Sequence, residues 1–196
     1  MRYVRIASSA LIAAATATVF GQLSDPVIEP IIGVRSLALS ADGSRLAFSY
    51  RGDVWVVSSD GGRALPVTSH VAMDDAPIWS PDGKWIAFSS DRNGGTNTYV
   101  VPADGGEPKQ MTWHGATPGD WSPDGKRILF DDTMDKRYGG IYEIDVAPGD
   151  ISEVLVDMRS INHPRYSNDG KHVVYERMGF PWYRPRYFGS NAAEPW

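Results

Sequence analysis

The chain has no cysteine, which excludes disulfide cross-links and thiolate metal sites. At 196 residues it needs no such staples, because a core of that size can rest on apolar burial. It also lacks an excess of basic charge: 19 Lys and Arg stand against 24 Asp and Glu, a formal net charge of −5. A nucleic-acid binder needs a basic stripe to offset phosphate charge, so the composition argues against that class. Catalytic signatures are missing as well. There is no Gly-x-Ser-x-Gly elbow, no His-Glu-x-x-His zinc pair and no phosphate-cradling glycine loop with lysine.

The one long apolar run, Ile6 to Phe20, is about 15 residues, short of the roughly 20 that span a bilayer. Arg2 and Arg5 precede it and small residues follow, the pattern of a secretory signal peptide over residues 1–21, cut after Ala17 or Gly21. An uncleaved N-terminal anchor is the alternative. Cleavage takes the net charge from −5 to −7. A periplasmic or secreted location is the expectation.

Against these absences, Gly (20) and Pro (14) are plentiful, which implies many turns. They fall in a repeat. Ser40-Ala-Asp-Gly-Ser-Arg-Leu-Ala-Phe48, Ser80-Pro-Asp-Gly-Lys-Trp-Ile-Ala-Phe88, Ser122-Pro-Asp-Gly-Lys-Arg-Ile-Leu-Phe130 and Ser167-Asn-Asp-Gly-Lys-His-Val-Val-Tyr175 align at steps of 40, 42 and 45 residues. That period is one four-stranded propeller blade. Ser-Pro-Asp-Gly makes a tight turn: Pro pre-sets φ, Asp bonds back to the backbone and Gly accepts positive φ. A short strand ends before it on Leu39, Trp79, Trp121 or Tyr166.

A second strand follows each turn. Leu46 and Phe48, Ile86 and Phe88, Ile128 and Phe130, and Val173 and Tyr175 each share one face. The residue between them is apolar too, so both faces are covered, as in a blade packed between neighbours. A third strand runs through Val54–Val57, Thr98–Val101 and Ile141–Ile144, and a fourth through Val67-Thr68, through Met111-Thr112 and near Leu155. Pro66 in that last strand requires it to be an edge.

The fold class is therefore all-β: a partial, open β-propeller of three four-stranded blades plus half of a fourth, over residues 34–196. Blades span 34–70, 74–114 and 117–157, and the fourth begins at Ile161. Residues 22–33 are an N-terminal segment suited to the closing strand of a full ring. A β-sandwich also has short strands and frequent turns, but it does not need one turn motif at the same phase four times.

Ser-Pro-Asp-Gly-Lys-x-Ile-Ala-Phe, with Tyr99 to His114, Trp121 to Phe130 and Tyr187-Phe-Gly-Ser-Asn-Ala-Ala193, resembles the TolB-like propeller repeat. It is most similar to the N-terminal propeller of secreted tricorn-type serine peptidases. That resemblance implies a propeller that gates substrate or binds partners, with peptide cutting left to a separate downstream catalytic domain. A periplasmic TolB-like interaction scaffold is the alternative. A third is an enzyme with its site on the propeller axis, such as a polysaccharide lyase.

No catalytic residue, cofactor or metal ligand set is expected in this chain. His70 and His114 are repeat-equivalent and read as loop residues. Asp74-Asp75 and Asp131-Asp132 are acidic clusters, and Asp91-Arg-Asn93-Gly lacks the twelfth-position Glu and the ligand spacing of a calcium loop. The expected partner is a peptide or protein. Its contact residues are Arg177, Trp182, Tyr183, Arg184, Arg186 and Tyr187, on a long link between the second and third strands of blade four. That link interleaves Arg with aromatics, the residue types of binding hot spots. The competing reading is that these aromatics pack on the propeller and the arginines pair with carboxylates.

Overall fold

The computed structural model describes residues 32–132, 139–157, 160–178 and 193–194. No described residue is helical. The chain divides into two units, residues 1–32 and 33–196, and the second holds every described strand. Its first sheet comprises β1 (Arg35–Leu39), β2 (Arg45–Tyr50), β3 (Asp53–Ser58) and β4 (Leu65–Pro66). The second comprises β5 (Asp74–Trp79), β6 (Trp85–Ser90), β7 (Asn97–Pro102) and β8 (Lys109–Gln110). The third comprises β9 (Ala116–Trp121), β10 (Arg127–Asp132), β11 (Gly139–Asp145) and β12 (Ile151–Asp157). The last holds β13 (Ser160–Tyr166), β14 (Val173–Met178) and β15 (Ala193–Glu194). Each sheet is an antiparallel meander in chain order. Successive first strands touch one another, so β1, β5, β9 and β13 form the inner ring from which the blades fan outward.

The turns before β2, β6, β10 and β14 are four copies of one hydrogen-bonded device. The Ser40, Ser80, Ser122 and Ser167 hydroxyls each donate to the aspartate two residues on, at 2.6 Å. Each serine oxygen also accepts the backbone N–H five residues on, at 2.9–3.0 Å. Gly43, Gly83, Gly125 and Gly170 close the turn with φ of 72°, 67°, 70° and 68°. These hydrogen bonds hold the aspartates below the ordinary carboxylate range. The Ser40 hydroxyl, then the Ser44 N–H, take Asp42 to about 2.

Blades pack face to face through the second strand. Ala47, Ala87 and Leu129 each point at the following blade and are fully buried. Their flanking residues point back, with Ile86 and Phe88 in the first interface and Ile128 and Phe130 in the second. Cross-strand aromatics cover them: Tyr99 lies opposite Phe88 with ring centroids 5.8 Å apart, and Tyr142 opposite Phe130 at 5.7 Å. The tryptophans latch adjoining blades together. The Trp79 indole N–H donates to the Ala38 carbonyl at 3.0 Å, and Trp121 to the Ile78 carbonyl at 3.4 Å.

Phe48, Phe88 and Phe130 are buried as expected, but Tyr175 is only partly so. The described part of β15 pairs only with Arg177 and Met178, so no described cross-strand aromatic covers Tyr175. The fourth strands also differ from expectation, ending at Pro66 and Gln110 rather than running through Val67-Thr68 and Met111-Thr112. There the main chain supplies only half of the ladder, the Val67 and Met111 N–H groups donating to the Val54 and Thr98 carbonyls at 2.8 Å, and a side chain supplies the other half. The Thr68 hydroxyl accepts the Val54 N–H at 2.9 Å, and the Thr112 hydroxyl accepts the Thr98 N–H at 2.8 Å. Both threonines are buried, and Pro66 lies on the outer edge as its missing N–H requires.

Two predictions follow from the turns. Gly83→Val places a β-branched residue at φ 67° with its Cβ 3.4 Å from the Arg45 guanidinium. It should lower stability by about 1–3 kcal/mol in urea melts followed by tryptophan fluorescence. The depressed aspartates of all four turns favour the folded state above their unfolded value of 3.8, and that contribution is lost as pH falls through the folded values. The unfolding midpoint should therefore fall between about pH 4 and 2. A flat profile there would refute the role given to the turns.

Candidate functional site

The inner strands share a distortion. Each carries one extra residue relative to its neighbour, and the shift falls within Arg35–Ala38, Asp75–Ile78, Pro118–Asp120 and Asn162–Arg165. In three blades the residue four before the turn serine has left-handed backbone: Ser36 at φ 50°, Ala76 at 51° and His163 at 54°. Non-glycine residues there cost about 1–3 kcal/mol each, so the surrounding structure holds them in place. In the third blade that position is Pro118, whose ring forbids positive φ, and the extra residue is Gly119 instead.

These bulges border a groove of about 350 Å³ shared by all four inner strands. One wall is largely apolar, with Leu37, Pro77 and Ile78. The other is polar, with Asp131, Asn162, His163 and Arg165. Burial pushes the Asp131 carboxyl above its usual range, although the His163 N–H, the His163 charge and the Thr117 N–H pull the other way. Burial likewise raises Asp120, against the Tyr166 N–H and Arg165. The His163 ring nitrogen Nδ1 lies 3.0 Å from Glu176 Oε2. Arg165 donates to the Gly119 carbonyl, and the Tyr166 N–H to Asp120 at 3.0 Å. Tyr166 also donates to Glu143 at 2.8 Å, and Glu143 takes Arg127 at 2.9 Å. Burial, then Glu143, pushes the Tyr166 hydroxyl well above the usual phenol range. An apolar wall facing a few oriented polar groups suits binding of an extended chain.

The sequence pointed elsewhere for contacts. Arg177 lies on β14, half-buried and in register with Ile161 and Glu194. Trp182, Tyr183, Arg184, Arg186 and Tyr187 fall outside the described residues. His70 and His114 are exposed in loops, and the His70 N–H donates to Asp53 at 3.0 Å. Asp74 is fully buried, with both oxygens on Arg92 at 2.8 and 2.9 Å. That arginine also lies over Tyr99, 4.8 Å from the ring centroid. Asp91 accepts the Met73 N–H at 2.8 Å. These acids serve the fold.

Sequence reasoning missed the groove, although a signal existed. At the residue after each second-strand aromatic the repeats diverge, from Ser49 and Ser89 to Asp131 and Glu176. A position where small neutral residues give way to carboxylates is a place where packing does not dictate identity.

Four sheets fanned from an inner ring, with no further described sheet on either flank, define the class, an open β-propeller with an axial groove. The comparisons agree: residues 37–196 match the family model of the tricorn protease N-terminal beta propeller domain, and the chain belongs to that family. An uncharacterized peptidase of Bacillus subtilis, YuxL, is 26% identical over 76% of this chain and 30% of its own length. The Agrobacterium fabrum protein Atu1656 is 30% identical over 72% of this chain and 54% of its own. A tricorn protease homolog of Streptomyces coelicolor is 36% identical over 43% of this chain and 8% of its own. Among solved structures, a putative TolB from Agrobacterium tumefaciens aligns with a TM-score of 0.69 and 26% identity, over 74% of this chain and 54% of that one. The chain thus spans between 8% and 54% of the length of these relatives.

One contact on the groove's rim makes a sharp test. A Cβ on Gly119 would lie 2.6 Å from both the carbonyl oxygen and the ring of Pro164 on β13. A backbone oxygen cannot swing aside, so Gly119→Ala should cost about 1–3 kcal/mol and loosen the fourth blade. Faster hydrogen exchange at β13 and β14 than at β5 and β6 would show it. Uniform exchange would refute the close approach.

Proposed function

We propose that this chain is the non-catalytic propeller portion of a longer secreted or periplasmic tricorn-like peptidase, and that its axial groove contacts peptide on the way to a downstream catalytic domain. Residues 1–21 act as the signal peptide, 22–33 as the closing segment, and 34–196 as the incomplete propeller. The carrying observation is the groove itself. All four inner strands contribute to it, one wall is apolar, and Asp131, Asn162, His163 and Arg165 stand on the other. An extended peptide presents alternating side chains and a polar backbone, which such a pair of walls can both meet. The Arg-aromatic segment with Arg177, Trp182, Tyr183, Arg184, Arg186 and Tyr187 is a second contact in this proposal. A TolB-like interaction scaffold is the competing reading, favoured by the structural likeness to a putative TolB at a TM-score of 0.69.

The test uses the full-length protein. Leu37 lines the groove and is 65% exposed, so Leu37→Trp narrows the passage without disturbing the core. Turnover of a long peptide should fall by about fivefold, the scale of ~1 kcal/mol at one contact, while turnover of a short chromogenic substrate stays unchanged. Equal effects on both substrates would sink the groove as a path. Absence of any peptidase activity in the full-length protein would favour the scaffold.

A further inference from the structure

The outermost strands of the three four-stranded blades are unequal. β4 and β8 have two residues each, whereas β12 has seven. The short ones are also protected: β4 contains Pro66, which cannot donate, and β8 contains Lys109, whose ammonium donates to the Val146 carbonyl at 3.1 Å. Proline, lysine and shortness are the devices that keep sheet edges from pairing. β12 has no proline, lysine or arginine.

β12 pairs with β11 on one side and, among the described residues, stands at the sheet edge on the other. Leu155 packs toward the interface with the fourth blade, but Ile151, Val154 and Val156 are 51%, 39% and 41% exposed. The ladder is interrupted only at Val154, leaving regular pairing from Ile151 to Glu153 and from Leu155 to Asp157. Charge adds a sign to this edge. From residue 139 to 157 the sequence holds five carboxylates, Glu143, Asp145, Asp150, Glu153 and Asp157, and no Lys or Arg. Arg127 answers Glu143 at 2.9 Å. Asp150 and Glu153 lie exposed at the start of the strand.

We propose that the outer edge of β12 is a docking site for an extended, basic segment of a partner protein, one alternating cationic and apolar residues, which adds a fifth strand to this blade. The edge supplies main-chain partners, the exposed Ile151 and Val156 supply apolar contact, and Asp150 and Glu153 select positive charge. This site is separate from the axial groove and stands or falls independently of it.

The probe is a short synthetic peptide alternating lysine and valine, fluorescently labelled and titrated into the 196-residue chain by anisotropy. It should bind, and protect β12 amides from hydrogen exchange. The same peptide with proline in place of each valine should not bind. Glu153→Lys should weaken binding by about tenfold, whereas Asp60→Lys, an equal charge change on a blade-one turn, should leave it unaltered. Thermal melts of both variants establish that each is folded. Equal binding to the Glu153→Lys chain and the unsubstituted chain overturns the proposal. So does an equal loss with Asp60→Lys, which would mean non-specific charge attraction. A dimer that Val154→Lys dissociates, with no peptide binding by either form, would also overturn it and make a second copy the occupant.

Discussion

The second strand of a blade is apolar on both faces and is fully covered only where a sheet packs on each side, and the rest of the architecture depends on that constraint. Ala47, Ala87 and Leu129 point forward and are completely buried, because each meets the sheet that follows. Val174 holds the same place in β14 and is 51% exposed, with no further described sheet beyond it. At the opposite flank, Leu39 is 59% exposed where Trp79 and Trp121, at the same phase, are 8% and 4% exposed. A single blade therefore cannot bury its own apolar surface. Stability accrues interface by interface, as in other repeat architectures.

The turns and the interfaces divide the work. The Ser-Asp turn sets a serine, buried in the first three copies, against an exposed aspartate and fixes where each meander reverses, through the same 2.6 Å hydroxyl-to-carboxylate bond in every copy. The interfaces set spacing between sheets, through tryptophans that reach back to the preceding blade's carbonyls and through Arg45 of the first blade laid over Trp79 of the second. Their electrostatics run in opposite directions. Turn carboxylates are held low by hydrogen bonds from hydroxyl and N–H groups, while Asp120 and Asp131 at the inner ring are pushed up by burial. Mild acidification therefore relieves the inner ring before it harms the turns.

The surface features that set one blade apart from another fall where the repeats stop agreeing. Pro118 in the third blade breaks the shared left-handed backbone, and Gly119 beside it admits Pro164 from the fourth. Asp131 on the groove and Glu176 behind His163 take the place of serines. β12 extends to seven residues where its counterparts stop at two. Each departure changes what the molecule presents to solvent while leaving the interface residues in phase.

The sequence by itself determined the blades, their count and their phase. Four Ser-x-Asp-Gly turns and period-two apolar strands are local patterns, each specified within about ten residues of chain. It also located the buried aromatics Phe48, Phe88 and Phe130, since the flanking turns dictate which face they occupy. It missed the fourth-strand ends, because the Thr68 and Thr112 hydroxyls continue the ladder in a way that no periodicity records. The groove was decided by tertiary structure alone. Ser36, Ala76, Asp131 and His163 lie far apart along the chain and converge only once four inner strands have packed around a common axis. No local pattern encodes that convergence, because it follows from the angle at which one blade's two-sided core sets the next.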